Sequence, residues 1–191
     1  MARLIMWNIV SIDGCFEGTT PWSLGWFQDR LDDSFFRFVI RQLKTANMLV
    51  FGRATYQGME AHWTKATGEV ADMMNTVPKI VFSRSLAAAE WKNTRLVHDD
   101  PVATLRDLKR DTTGNIFVFG SAALSLPLIN ADLFDEYRLG LKSIVLAQGR
   151  PLFPSGTNFK NLDLAAADVL SPNCVVLHYV PAGASGQAQA S

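Results

Sequence analysis

Cysteine is scarce in this chain. Cys15 and Cys174 are its two examples, so no disulfide framework holds the fold, and a reducing compartment with free thiols is expected. Charge of one sign is equally lacking, because 18 basic residues balance 18 acidic ones. No Lys/Arg run or basic stripe appears, which excludes a nucleic-acid binder that works by neutralising phosphates. The aromatic residues are not interleaved with bases, as a platform for single strands would require. No apolar run reaches membrane length, and the stretch ending at Asp13-Gly14 lacks the small-residue cleavage site of a secretion signal. A cytoplasmic protein is therefore expected. His62, His98 and His178 are scattered without metal-ligand spacing and read as surface or satisfied structural residues. The G-x-S-x-G, Walker A and G-x-G-x-x-G patterns are absent too.

What is present is a core. The 191 residues are 48% hydrophobic, enough for one domain over residues 1–181. The tail from Ala182 to Ser191 holds only Gly, Ala, Ser and Gln, and is expected to be disordered. Before it, strands and helices alternate. Leu4–Val10, Met48–Phe51, Lys79–Phe82 and Ile116–Phe119 read as buried strands. Helical spacing marks Phe35 to Leu43, Ala54–His62, Ala122–Ile129 and a helix capped by Asp100 and opened by Pro101. Tyr137–Leu146 looks extended, and Leu164–Leu170 with Cys174–Val180 forms a hairpin across Ser171-Pro172-Asn173. The expected fold is three-layer α/β, with a mainly parallel sheet and an antiparallel C-terminal hairpin.

Two junctions share one design: a short apolar strand, a glycine, then a helix. They are Gly52-Arg53 and Gly120-Ser121. A glycine lets backbone approach a ligand, and the helix start offers unpaired N–H groups at the positive end of its dipole. Both junctions fall at the carboxyl ends of parallel strands, where open α/β sheets bind ligands. One such glycine alone reads as a simple strand end; two matching ones suit a pyrophosphate. Arg53 and Arg84 each follow a strand end, and with Ser83 and Ser85 beside it the second could hold a ribose 2′-phosphate. Each taken alone also reads as a solvated arginine. The first turn is rich in aromatics, with Trp22 and Trp26 set among Gly14, Gly18 and Gly25. It reads equally as a cover over a flat ring or as the start of the next helix's core face. Asp13 is read as a turn former that bonds local backbone.

In order along the chain stand Ser11-Ile12-Asp13-Gly14, Phe51-Gly52-Arg53-Ala54-Thr55-Tyr56, Lys79-Ile80-Val81-Phe82-Ser83-Arg84, Phe117-Val118-Phe119-Gly120-Ser121 and Val145 to Phe153. With these motifs the chain resembles the dihydrofolate reductase-like superfamily. It is similar in particular to stand-alone bacterial relatives of the reductase half of the riboflavin-synthesis deaminase–reductase. The resemblance runs from Arg3 to about Val180. It implies NADPH as cofactor, with Gly52, Arg53, Ala54 and Thr55 at the pyrophosphate and 2′-phosphate. It further implies Ser83 and Arg84 on the adenosine side, and Gly120, Ser121, Ala122, Ala123 and Leu124 at the pyrophosphate. Ile9 and Phe16 would position the nicotinamide, Trp22 and Trp26 the substrate, and Asp29 would be the catalytic acid, with Asp32 behind it. Three positions depart from the family pattern: Ser121 replaces a second glycine, Ser143 a proline and Ala147 a glycine. No zinc-binding deaminase segment precedes the domain, so a single reductase function is expected.

The activity so implied is hydride transfer from NADPH to a small flat heterocycle, such as a pterin or an aminopyrimidine. A catalytically silent nucleotide-binding oligomer of the same fold is the alternative. A phosphate-ester hydrolase is a further rival that no nucleophile or metal cluster supports. A homodimer is expected through edge strands, with Val175, Leu177 and Tyr179 as the apolar patch. No nucleic-acid or membrane partner is expected.

Overall fold

The computed structural model describes residues 1–28 and 31–183. The first strand, β1 (Arg3–Ser11), carries an apolar run whose alternate residues enter opposite cores. Leu4 and Met6 enter one core, Ile5 and Trp7 the other. A strand covered on both faces needs such a run. After it come the short strand β2 (Cys15–Glu17), the single turn α1 (Gly25–Gln28) and the helix α2 (Asp33–Lys44). The middle of the chain supplies β3 (Ala46–Gly52), α3 (Arg53–Trp63), α4 (Glu69–Thr76) and β4 (Lys79–Phe82). Next are β5 (Thr94–Val97), α5 (Pro101–Asp111), β6 (Asn115–Phe119) and α6 (Ala122–Asn130). The last elements are β7 (Glu136–Lys142), the two-residue β8 (Arg150–Pro151), β9 (Leu162–Ser171) and β10 (Cys174–Pro181).

Eight strands form one sheet in the order β5-β4-β3-β6-β1-β7-β10-β9. The strands from β5 to β7 are parallel, while β10 runs antiparallel to both β7 and β9. The expected three-layer fold is present. Leu105 of α5 with Leu124 and Leu128 of α6 fills one core; Phe38, Tyr56 and Met74 of α2, α3 and α4 fill the other. The Asp100 cap is as the sequence indicates; at α2, where Asp32, Asp33 and Ser34 could each cap, Asp32 does. Asp32 accepts the Phe35 N–H at 3.0 Å and Asp100 the Ala103 N–H at 2.8 Å, each contributing about 1 kcal/mol.

Several expectations need correction. The extended stretch beginning near Tyr137 ends at Lys142, because the chain then turns over the first loop. The β2–β8 ribbon, α4 and β5 were not anticipated. Strand β10 lies between β7 and β9, so Val175, Leu177 and Tyr179 do not stand on an edge strand. The edge is β9, whose Leu164 and Val169 are exposed. The expected disorder of the tail falls, from residue 184 onward, outside the described residues.

A buried ionic network ties the hairpin to the sheet. Glu136 accepts hydrogen bonds from Arg3 (2.8 Å) and Arg138, and lies 3.0 Å from His178 Nδ1. His178 Nε2 lies 3.0 Å from Asp168, so β1, β7, β10 and β9 are all linked. Burial alone would raise the Glu136 pKa. The hydrogen bonds from His178 and Arg138 and the charges of Arg138 and Arg3 outweigh it, and the carboxyl is pulled down to about 2. A depressed carboxylate contributes stability that is complete above its unfolded pKa near 4.5 and fades as pH falls toward 2. Glu136→Gln should therefore lower unfolding stability by about 3 kcal/mol at pH 7. In urea melts the gap to wild type should shrink steadily below pH 4.5; a gap independent of pH would contradict the network.

Candidate functional site

Parallel strands place their carboxyl ends on one edge of the sheet, and the helices that follow begin there. Strands β3 and β6 are direct neighbours, so the two glycine junctions sit side by side. The Gly52 N–H donates to Ser121 Oγ at 3.0 Å, and the Ser121 N–H donates to Thr55 Oγ1 at 3.1 Å. Ser121 Oγ in turn donates to the Phe119 carbonyl at 3.0 Å. The departure at Ser121 thus has a structural role: its hydroxyl joins one junction to the other. It adopts φ 59° and ψ 46°, a left-handed conformation that costs a non-glycine residue about 1 kcal/mol. The hydroxyl's hydrogen bonds offset a cost of that size. Gly120 precedes it at φ 53°, and a Cβ there would lie 3.1 Å from the Thr55 methyl, so a side chain would be strained by conformation and crowded by its neighbour.

Neither helix at the junctions is capped by a side chain. Gly52 has none to offer and the Ser121 hydroxyl is turned elsewhere, whereas α2 and α5 carry aspartate caps. The first N–H groups of α3 and α6 are left for an anion. Arg53, Ala54 and Ala123 are exposed, Thr55 is half-buried, and Ala122 and Leu124 are buried.

Gly52 is in register with Phe82 on β4, so Arg53 and the turn Ser83-Arg84 emerge together. Both arginines are exposed, and neither forms an ion pair among the described residues. Ser83 Oγ accepts the N–H groups of Ser85 (3.2 Å) and Leu86 (2.9 Å), which sets the turn. His98, read from sequence as a surface or satisfied structural residue, follows β5 at the same edge. Its Nδ1 lies 2.6 Å from the Ser83 carbonyl oxygen, so Nδ1 carries the hydrogen. Sequence reasoning missed this contact, because the signal depends on β5, a strand too short to read.

Beside the junctions opens a cavity of about 490 Å³, with Thr55 and Gly120 on its wall. Ile9, Phe16 and Trp22 line it. Trp26 does not; its ring packs edge-on against Phe27 with centroids 5.1 Å apart. Trp22 seats its indole on α3 at Gly58, where a Cβ would lie 2.4 Å from the ring. The Trp22 backbone N–H donates to Glu17 Oε1 at 2.9 Å, and Arg150 Nη1 donates to Glu17 Oε2 at 2.8 Å. Glu17 is buried and also lines the cavity, and sequence reading did not single it out. The Asn8 amide nitrogen, buried at the cavity wall, has no acceptor among the described residues.

The expected acid, Asp29, lies outside the described residues. Asp32 does not line the cavity. Its bond from the Phe35 N–H, joined by Ser171 and by the charge of Lys142, holds its carboxyl below the usual range, so it is a poor proton donor. Asp13 also differs from expectation. Its carboxylate reaches across the fold to the N–H groups of Leu146 (3.1 Å) and Ala147 (2.8 Å). Bonds from Ser11, Leu146 and Ala147 hold its pKa down. The left-handed Ala147, at φ 60°, is fixed by this tie, and the Ser143 hydroxyl donates to the Pro172 carbonyl at 3.3 Å.

The Ser121 tie yields an expected outcome. Ser121→Gly relieves the strain and loses the hydroxyl, so stability should stay within about 1 kcal/mol of wild type. Ser121→Val keeps the left-handed strain, adds a branched side chain and removes the bond, and should cost about 2–3 kcal/mol in denaturant melts. Equal effects from the two would sink the assignment.

A family model described as the RibD C-terminal domain matches residues 2–176. The protein YyaP of Bacillus subtilis strain 168 is 26% identical over 182 residues, covering 93% of this chain and 94% of its own. Among solved structures, a diaminohydroxyphosphoribosylaminopyrimidine deaminase/5-amino-6-(5-phosphoribosylamino)uracil reductase from Thermotoga maritima superposes with a TM-score of 0.66 at 13% identity. That match covers 94% of this chain and 56% of the Thermotoga chain, so this chain spans about half its length. Dihydrofolate reductase from Enterococcus faecalis, complexed with NADP(H), gives a TM-score of 0.62 at 17% identity, with 94% and 96% of the two chains covered. These two likenesses show a shared fold.

Proposed function

The chain belongs to the family of the RibD C-terminal domain, and from that premise we propose that it is an NADPH-dependent reductase acting on a small flat heterocycle of the pterin or aminopyrimidine kind. One observation carries this reading. Two uncapped helix starts, tied together through Ser121, stand beside two unpaired arginines and open onto an aromatic cavity. A dinucleotide needs that sequence of surfaces: donors for the pyrophosphate, cations for a 2′-phosphate, and an apolar slot for the reactive ring. The Enterococcus enzyme, which shares the fold, is bound to NADP(H).

When bound, the cofactor supplies the hydride. The residues of this chain hold and orient it. The N–H groups at the starts of α3 and α6 take the pyrophosphate, and Arg53 with Ser83 and Arg84 takes the 2′-phosphate. Ile9 and Phe16 flank the nicotinamide pocket, and Trp22, seated on α3, excludes water. Glu17 is the one carboxylate among the described lining residues and can accept a hydrogen bond from a ring N–H.

The 2′-phosphate assignment is tested by cofactor choice. Arg53→Ala and Arg84→Ala should each weaken NADPH binding about tenfold or more while changing NADH binding little, read by fluorescence titration. Equal losses for the two cofactors would refute it.

A second reading has a specific observation behind it. Both oxygens of Glu17 are already engaged, by Trp22 and Arg150, and Asp32 is turned to the α2 cap. A nucleotide-binding protein that has lost turnover would look the same. Tight NADPH binding without absorbance loss on dihydrofolate or an aminopyrimidine would select it.

The protein is further proposed to form a homodimer through β9. That strand is a ten-residue free edge bearing the exposed Leu164 and Val169, with two charges, Asp163 and Asp168, along its length. Light scattering should give twice the chain mass, and Val169→Lys should shift it toward the monomer.

A further inference from the structure

The row of strand ends that carries Arg53 and the Ser83-Arg84 turn continues one strand further. Gly52 of β3, Phe82 of β4 and Val97 of β5 are in register, and the Ser83 N–H donates to the Val97 carbonyl at 3.1 Å. The residues that follow them are Arg53, Ser83 and His98. Neighbouring strands lie about 4.8 Å apart, so His98 stands beside Ser83, within reach of a phosphate held at the Ser83-Arg84 turn. Its side chain is exposed. The other charged groups at this corner are Arg53, Arg84 and the two residues after His98, Asp99 and Asp100. Asp100 is held at the α5 cap, and the first turn of α5 adds no charge.

The ring of His98 is fixed by its own contact. A carbonyl oxygen only accepts, so the 2.6 Å approach to Ser83 keeps a hydrogen on Nδ1 whether the ring is neutral or charged. Nε2 is left without a partner among the described residues. In the neutral ring Nε2 accepts; after protonation it carries a hydrogen and donates. A single proton therefore changes what a ribose 2′ substituent meets. A 2′-hydroxyl can donate to the neutral ring, whereas a 2′-phosphate brings acceptors and negative charge and needs the protonated one. We propose that His98 is a proton-coupled selector between the two nicotinamide dinucleotides, taking up a proton with a 2′-phosphate and staying neutral with a 2′-hydroxyl. The role rests on the reductase reading of the site and adds to it a cofactor preference that moves with pH. Above neutrality the proton must come from a scarcer supply, so NADPH binding weakens as pH rises while NADH binding does not.

Calorimetric titration of the full chain with NADPH and with NADH, in two buffers of unequal ionisation enthalpy, counts the protons taken up. A phosphate ester's own second ionisation lies near about pH 6 and is common to every variant, so the comparison is made from about pH 7 to about pH 9. Wild type should take up roughly half a proton or more with NADPH near about pH 7.5, and none with NADH. Its NADPH-to-NADH affinity ratio should fall about tenfold across the range. His98→Gln should abolish the uptake and flatten the ratio. His98→Lys, charged throughout, should keep the ratio that wild type shows at the lower pH, without uptake. Both substitutions alter an exposed side chain, so the fold is retained. Uptake that is equal for the two cofactors, or that survives in His98→Gln, overturns the proposal. So does a His98→Lys variant that binds NADPH no better than His98→Gln. NADPH binding without proton uptake overturns it and leaves the cofactor assignment standing. If neither dinucleotide binds, the selector and the reductase reading fall together.

Discussion

The hydrogen bond from the Gly52 N–H to the Ser121 hydroxyl is the contact on which the site depends. It joins the ends of two neighbouring parallel strands that are 69 residues apart in the chain. Because the serine hydroxyl is used this way, it does not cap α6, and because Gly52 has no side chain, nothing caps α3. Two helix dipoles therefore present bare N–H groups at one place. The left-handed geometry at Ser121, beside a glycine that adopts it freely, is the strain that this arrangement requires. Elsewhere, Asp32 and Asp100 cap α2 and α5, while α4 begins at Gly68 without a side-chain cap.

A second division follows along the same edge. From β3 to β5 the strand ends carry Arg53, Ser83-Arg84 and His98, all hydrophilic. Around β1 and α2 the wall is aromatic, closed by the Trp22 indole against Gly58. Glu17 holds that closure in place by accepting the Trp22 N–H while Arg150 holds Glu17. One crevice thus joins a hydrophilic surface to an aromatic one, and the proposed reductase reading needs both.

Remote from the crevice, the antiparallel end of the sheet is secured differently. Glu136, Arg138, His178, Asp168 and Arg3 form an ion network under α2, where the alternation of the strands would otherwise place apolar residues. Removing Glu136 would leave the largely buried Arg138 without its carboxylate, which makes this pair a constraint on register. It keeps β7 in line with β1, and so keeps the tie from Asp13 to Leu146 and Ala147 within reach.

Much of this was legible from residues alone. Strands buried on both faces announce themselves as unbroken apolar runs, and β1, β3, β4 and β6 all did. Asp100-Pro101 marked α5, and the glycines at 52 and 120 marked the junctions, because a helix start and a strand end are local events with local chemistry. Short elements were not legible. Four residues of β5 and three of β2 are strands only because a neighbour completes their hydrogen bonds. Nor could the sequence show that Ser121 ties the junctions, that Asp13 bonds residues more than a hundred positions away, or that Glu17, rather than Asp32, faces the cavity. Backbone geometry and apolar periodicity, which depend on near neighbours, set the layers and the two glycine junctions of this protein. Which side chains share a charge, a hydrogen bond or a cavity wall was decided by the sheet order, since only folding brings those distant positions together.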